Sequence, residues 1–207
     1  MGENRFDIAA GDWDKEHRRI ELAKAIASRI AMLPLHPDMQ AMEYGCGTGL
    51  VGLELAPRLG SLIAADSSPG MLETLRKKIS EQGIKNVFPR RLDLHHDDCA
   101  QDFELIFSAM TLHHLTDVDR ILAKFSGCLK IGGLLALADL DEEDGSFHQQ
   151  NPDGVVHHGF SRDKLAEKLE RLGFTDIQSD TVHTIRRRNN AGEERPYPVF
   201  LMTAVKQ

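Results

Sequence analysis

The sequence predicts an α/β fold in which a mostly parallel sheet is covered by helices and finished by an antiparallel pair. Three observations carry that expectation. From about residue 39, short apolar runs alternate with amphipathic ones, the pattern of buried strands and covering helices. Behind the first apolar run stands "EYGCGTGL", Glu43 to Leu50, a glycine-rich turn between a strand and a helix. Near the end, the strand-like runs Thr175–Ile185 and Tyr197–Val205 are joined by the polar stretch Asn189 to Glu194, which reads as a hairpin and an antiparallel edge on the sheet.

Taken in order, Asp14–Met32 places Ile20, Ala23, Ala27 and Ile30 at helical spacing, and Pro34 and Pro37 end that helix. Strands are expected at Met39–Tyr44, Ser61–Ala65, Val87–Leu92, Phe103–Ser108 and Leu134–Ala138. Helices are expected between and after them, at Leu50–Leu59, Pro69–Glu81, Asp117–Lys130 and Ser161–Leu172. The second of these has the sharpest limits: Ser68 as N-cap, Pro69 at the first helical position and Gly83 as the stop. With no internal repeat, low-complexity tract or linker, residues 1–207 read as a single domain.

A hydrophobic share of 41% with 28% charged residues excludes a disordered or fibrous chain. The net charge of −7 opposes phosphate backbones and anionic lipid surfaces, so neither nucleic acid nor membrane is an expected partner. No apolar run approaches the roughly 20 residues that span a bilayer, and Met-Gly-Glu-Asn-Arg-Phe lacks the features of a secretion or myristoylation signal. Cys46, Cys99 and Cys128 are odd in number and widely spaced, which suggests neither a disulfide framework nor a zinc ribbon and fits a reducing cytoplasm. A homodimer is the base-rate expectation for oligomeric state. Arg186, Arg187 and Arg188 could contact an anion, but three adjacent arginines near a strand end read as a solvated face and are assigned no function.

The glycine turn presents backbone N–H groups and a helix start to a ligand at the strand's C-terminal edge, and Gly45, Gly47 and Gly49 let that ligand approach the backbone. Two ligand classes use such a turn. Gly47 to Gly52 spells G-x-G-x-x-G, the dinucleotide fingerprint, whereas Gly45 to Gly49 spells G-x-G-x-G, the form associated with S-adenosylmethionine. Glu43 favours the second, because a carboxylate there repels a pyrophosphate and suits a ligand carrying ammonium and sulfonium charges. A short-chain nicotinamide enzyme would also want a Tyr with a Lys four residues later, and neither Tyr44 nor Tyr197 has one.

Asp66, in "IAADSS" at the end of the second strand, is placed to accept both ribose hydroxyls, with Ser67 beside it and Met71 as an apolar lid for the adenine. Asp93 ends the third strand, where it can take the adenine amino group while Leu94 packs the ring. The run His95, His96, Asp97, Asp98 lacks metal-ligand spacing, and no metal is expected.

The ordered series "EYGCGTGL", "IAADSSPGML", "LDL", "FELIFSAMTLHHLTD" and "CLKIGGLLALADL" resembles the class I S-adenosylmethionine-dependent methyltransferases, and most nearly the ubiquinone and menaquinone biosynthesis branch. The match is good over residues 40 to 140 and looser elsewhere. The resemblance implies a Rossmann-like sheet of seven strands with helices on both faces and the last strand antiparallel. "FDIAAGDWD", Phe6 to Asp14, is similar to a segment that folds over the cofactor in that branch, which makes residues 1–38 an expected cap and gives Trp13 a part in closing the site. It also sets Ser108 to His114 against the methionine part of the cofactor.

Methyl transfer needs alignment of the acceptor and exclusion of water, and it needs a base where the acceptor must lose a proton. His113 is the candidate base, against the reading that "HHL" only holds the loop before the next helix. His114, His148, His157 and His158 are candidate substrate contacts. Asp141 to Asp144 could attract a cationic acceptor or form a solvated acidic loop. The function expected is methyl transfer to a small molecule; a nicotinamide oxidoreductase and a cofactor-binding protein without transferase activity are the alternatives.

Overall fold

A computed structural model describes residues 5–99, 102–149, 152–188 and 192–207. Seven strands form one sheet: β1 (Gln40–Tyr44), β2 (Ser61–Asp66), β3 (Val87–Arg91), β4 (Phe103–Ala109), β5 (Leu129–Leu140), β6 (Phe174–Arg188) and β7 (Glu194–Lys206). Their order is β3-β2-β1-β4-β5-β7-β6. β1 to β5 pair in parallel, and β7 runs antiparallel to both of its neighbours. The expected hairpin is present, but the antiparallel strand is not the sheet's edge. β7 returns into the sheet beside β5 and leaves β6 outermost, because β7 carries the apolar run: Val199 to Met202 are buried, while most of β6 is not.

Among the described residues six α-helices flank the sheet: α1 (Arg5–Ala9), α2 (His17–Ile30), α3 (Gly52–Leu55), α4 (Pro69–Gln82), α5 (Val118–Cys128) and α6 (Arg162–Arg171). Both faces of the sheet are buried, and alternate residues serve opposite cores. Ala41 and Leu105 join α2, α3 and α4 through Ile26, Leu55 and Leu75. Met42 and Ile106 join α5 and α6 through Phe125 and Leu169. Glu43 therefore points into the first of these layers, one residue short of the glycine turn.

The sharp limits expected for the helix after β2 are present. Ser68 accepts from the Met71 amide, Pro69 opens α4 and Gly83 closes it in a left-handed conformation. Two expected helices are shortened. The run from Leu50 has one α-turn followed by a 3₁₀ turn at Ala56–Arg58, where Pro57 interrupts the ladder. The run to Lys130 stops at Cys128, and β5 begins at once. Cys99 and Cys128 are disulfide-paired, with Cα atoms 6.0 Å apart, contrary to the expectation from their spacing. Folding brings the loop after β3 against the end of α5, a juxtaposition that sequence separation cannot reveal, so the cysteine count does not fix the compartment. Among the described residues no helix is long and apolar enough to cross a membrane, and no group of three ligating side chains could hold a metal ion.

Candidate active site

The C-terminal ends of β1, β2, β4 and β5 meet along one edge of the sheet, the place where a doubly wound fold binds its ligand. There the turn after β1 is pinned to β2: the Gly45 and Cys46 amides donate to the Ala65 carbonyl at 2.8 and 3.0 Å. The Gly47 amide donates to Asp66 at 2.7 Å and the Ser68 amide to the other Asp66 oxygen at 2.8 Å. Asp66 thus ties the glycine turn to the start of α4, and burial pushes its carboxyl upward against the pull of those donors.

The glycines do different work. A Cβ on Gly45 would collide with the Thr111 side chain, so this residue is needed for packing. At Gly47, also in the left-handed region with φ of 52°, the nearest atom a Cβ would meet is the Met71 sulfur at 3.9 Å, so the turn is open on that side. Glu43 lies beneath the turn. It is 2% exposed, it is bonded by the Gly52 amide and its Oε2 has no partner. Burial, with Asp66 nearby, pushes its carboxyl up to about 8. The charge expected at this position is therefore largely suppressed at neutral pH in the ligand-free protein.

Residues 5–15 pack over this edge. Asp7 accepts from the Ser68 hydroxyl at 2.6 Å and the Gly70 amide at 2.9 Å. Asp14 accepts from the Thr48 hydroxyl at 2.6 Å and from Lys78 at 2.7 Å. Trp13 stacks under the Arg19 guanidinium at 3.7 Å and meets Phe6 edge-on. The rest of the expected cap behaves differently, because α2 buries Leu22, Ala23, Ile26, Ala27 and Ile30 in the core of the domain.

A cleft of about 500 Å³ opens beside the turn, lined by Tyr44, Ser67, Asp93, His114, Asp117 and Arg120 among others. That volume is within the range of about 300–1,000 Å³ usual for small-molecule sites. Of the expected site residues, Ser67, Asp93 and His114 line this cleft. Leu94 and Ser108 are interior: Leu94 packs in the core and donates its amide to Tyr44 at 3.3 Å, and the Ser108 hydroxyl donates to the Tyr44 carbonyl at 2.8 Å. Met71 is buried at the start of α4, with its sulfur facing the Gly47 side of the turn.

The second half of the site is built around His113, in the 3₁₀ turn Leu112–His114 that follows β4, and Asp139, at the end of β5. They are 2% and 0% exposed, with His113 Nδ1 2.7 Å from Asp139 Oδ1. Asp139 also accepts from the Leu140 amide at 2.8 Å and the His113 amide at 3.3 Å. A carboxylate can only accept, so Nδ1 carries a proton toward Asp139 and the ring is held with Nε2 on its far side. Asp139 escaped the sequence reading; an acid closing the apolar run "LLALAD" was the available signal.

Of the other histidines, His114 and His148 join His113, with ring centres 4.0 and 5.1 Å from it. Burial and the neighbouring His113 lower His114 to about 4 and His148 to about 3, so both are neutral at working pH. The Nε2 atom of His148 is buried without a partner. His157 instead donates to the Leu115 carbonyl at 2.9 Å and pins the segment after residue 152 to "HHL", while His158 is exposed beside Glu143. Two of the acids before it are held by arginines, Asp141 two-pronged by Arg162 at 2.6 and 2.7 Å and Asp144 by Arg195 at 2.5 Å, while Glu143 accepts from the Phe147 amide with one oxygen and has its other buried without a partner.

Residues 41–133 match the model of a family described as a methyltransferase domain. An uncharacterized methyltransferase of Schizosaccharomyces pombe is 29% identical over 58% of this chain and 48% of its own length. A trans-aconitate 2-methyltransferase of Deinococcus radiodurans is 31% identical over 58% of this chain and 45% of its own. The chain spans half or less of the first curated relatives it matches. Among solved structures, a DhpI–SAH complex superposes with a TM-score of 0.72 at 20% identity, over 98% of this chain and 95% of that one. Haemonchus contortus phosphoethanolamine N-methyltransferase 2, solved with S-adenosyl-L-methionine, gives 0.72 at 16% identity, over 89% and 52%.

Proposed function

We propose that this chain, which carries a class I S-adenosylmethionine-dependent methyltransferase domain, transfers a methyl group to a hydroxyl of a small molecule with His113 as the base. The residues present fit the cofactor: the turn is open at Gly47, Asp66 stands at the end of β2, and the adjoining cleft is large enough for an adenosyl group. S-adenosylmethionine supplies a methyl group on positively charged sulfur, and its transfer leaves the electron pair of the broken carbon–sulfur bond on a neutral thioether.

In this reading Asp66 and Ser67 take the ribose hydroxyls, each carboxylate oxygen having a lone pair beyond the one it spends on the backbone. Asp93 faces the adenine, with Leu94 packed behind that wall and Met71, beside Gly47, as the apolar lid. Gly45, Gly47 and Gly49 shape the turn that receives the methionine end, and Ser108 holds β4 to β1 beneath it. Glu43 answers the cofactor's positive charge by giving up its proton. Residues 5–15, with Trp13, keep water out. Alignment and exclusion of this kind can contribute about 7–11 kcal/mol to the barrier.

The observation that carries the base is the buried His113–Asp139 pair. Asp139 fixes the tautomer, so His113 Nε2 can take the acceptor's proton as the new carbon–oxygen bond forms. Support for a small acceptor comes from the acidic net charge of −7, which disfavours phosphate backbones and anionic lipid. A quinone-pathway acceptor has narrower support, in the sequence resemblance and in a ubiquinone biosynthesis O-methyltransferase of Chelativorans 26% identical over 50% of this chain. Release of S-adenosylhomocysteine with hydroxylated acceptors tests the proposal. His113→Ala should lower kcat by about 10²–10⁴-fold, the usual worth of a positioned base; a loss below threefold would remove His113 from the chemistry.

A further inference from the structure

The three adjacent arginines of β6 do not share one environment. Successive residues of a strand face opposite sides. Arg186 is 69% exposed and 3.4 Å from Glu194, while Arg187 turns inward over the segment that carries His148. Its guanidinium stacks on the Phe147 ring at 4.0 Å, and Nη1 donates to the Phe147 carbonyl at 2.8 Å. Phe147 in turn meets the His148 ring at 4.7 Å. No carboxylate among the described residues pairs with Arg187, and its Nε is enclosed with no acceptor.

A half-buried guanidinium in that condition is costly unless an anion arrives, since a charged donor left unsatisfied forfeits its solvation with nothing in return. Burial lowers the Arg187 pKa, with Arg18 and Arg19 adding positive charge nearby and Glu16 offsetting part of it. The next side chains toward His113 are neutral imidazoles, which bring no negative charge. Of the acids of residues 141–144, Asp141 and Asp144 are held by other arginines, and Glu143 spends Oε2 on the Phe147 amide, with no ion pair to Arg187 among the described residues.

We propose that the methyl acceptor is a hydroxy acid, whose carboxylate is held by the free edge of Arg187 while its hydroxyl faces His113. This rests on the methyltransferase reading above. Nε and Nη2 form the edge of a guanidinium that pairs two-pronged with a carboxylate. The inference reverses the expectation that the acidic loop draws a cation.

The test uses protein loaded with S-adenosylhomocysteine and titrated with 4-hydroxybenzoate, 4-hydroxycinnamate and 3-hydroxyhexanoate, each alongside its neutral amide. The parent should bind at least one acid saturably and about 10-fold or more tighter than its amide. Arg187→Gln should weaken the acid by about 10–100-fold, the worth of a charge-assisted pair, and leave the amide unchanged. Arg187→Lys should keep part of the preference. S-adenosylhomocysteine affinity should match the parent in both variants, which separates recognition of the acid from a bracing role for Arg187. Binding of no acid, equal binding of acid and amide, or an acid preference that survives in Arg187→Gln would overturn the proposal. Failure to take up S-adenosylhomocysteine would sink the methyltransferase reading and this one with it.

Discussion

Replacing Glu43 by glutamine should change the pH dependence of stability more than stability at any one pH. The folded carboxyl is held up to about 8 by burial, whereas in the unfolded chain it returns to 4.5. Between those values the folded protein keeps a proton that the unfolded chain has lost, so stability falls as pH rises through the window. At about 1.4 kcal/mol per pH unit, the full loss is on the order of 5 kcal/mol, and between pH 5 and 7.5 it is about 3 kcal/mol. Glutamine lacks the ionisation. It also presents an N–H₂ where Oε2 stands without a partner, so the variant has its own constant cost. Urea unfolding of both proteins at several pH values isolates the effect, since every other titrating group cancels in the difference. The parent should lose about 3 kcal/mol relative to Glu43→Gln between pH 5 and 7.5. Parallel profiles, within about 0.5 kcal/mol, would mean that Glu43 is ionised in the folded protein and that the burial argument is wrong.

Other outcomes follow from the same geometry. A cationic ligand should draw the proton off Glu43, so calorimetry in two buffers of different ionisation enthalpy should detect proton release on cofactor binding in the parent and less in Glu43→Gln. His114 is lowered to about 4 from 6.5, so the unfolded chain takes up protons first as pH falls; stability should decline from about pH 6.5 down to about 4, and His114→Gln should flatten that decline in acid unfolding curves. Gly45→Ala should lower the melting temperature, because its Cβ strikes Thr111, whereas Gly47→Ala should cost only about 1–2 kcal/mol of backbone strain but weaken the cofactor tenfold or more. Asp139→Asn should lower kcat by about 10²-fold with little change in KM, by disturbing the tautomer of His113; normal kcat would reduce the pair to a structural one.

The parts of this protein that could be read from sequence are those set by local rules. Strand alternation, the Ser68-Pro69 start and Gly83 stop of α4, and the acids at the ends of β2 and β3 depend on neighbours a few residues away. The parts that could not be read depend on what folding brings close. β7 enters the sheet between β5 and β6 because its apolar run outcompetes that of β6 for the interior, and no spacing in the sequence announces that. Glu43 was visible as an acid before the turn, but its proton is set by enclosure among Gly52, Leu62 and Asp66. Asp139, 26 residues from His113, became its partner only when β4 and β5 paired. Arg187 was hidden among identical neighbours until the strand fixed which of the three turned inward.

The central claim, an adenosyl cofactor held between the glycine turn and Asp66, is tested most directly by calorimetric titration with S-adenosylmethionine and S-adenosylhomocysteine, with NADH and NADPH as counter-ligands. The parent should bind both adenosyl compounds at micromolar levels and neither nicotinamide. Asp66→Ala should weaken them by about one to two orders of magnitude, the worth of a charge-assisted bond of about 1.5–3 kcal/mol. Binding of a nicotinamide in their place, or unchanged affinity in Asp66→Ala, would contradict the account.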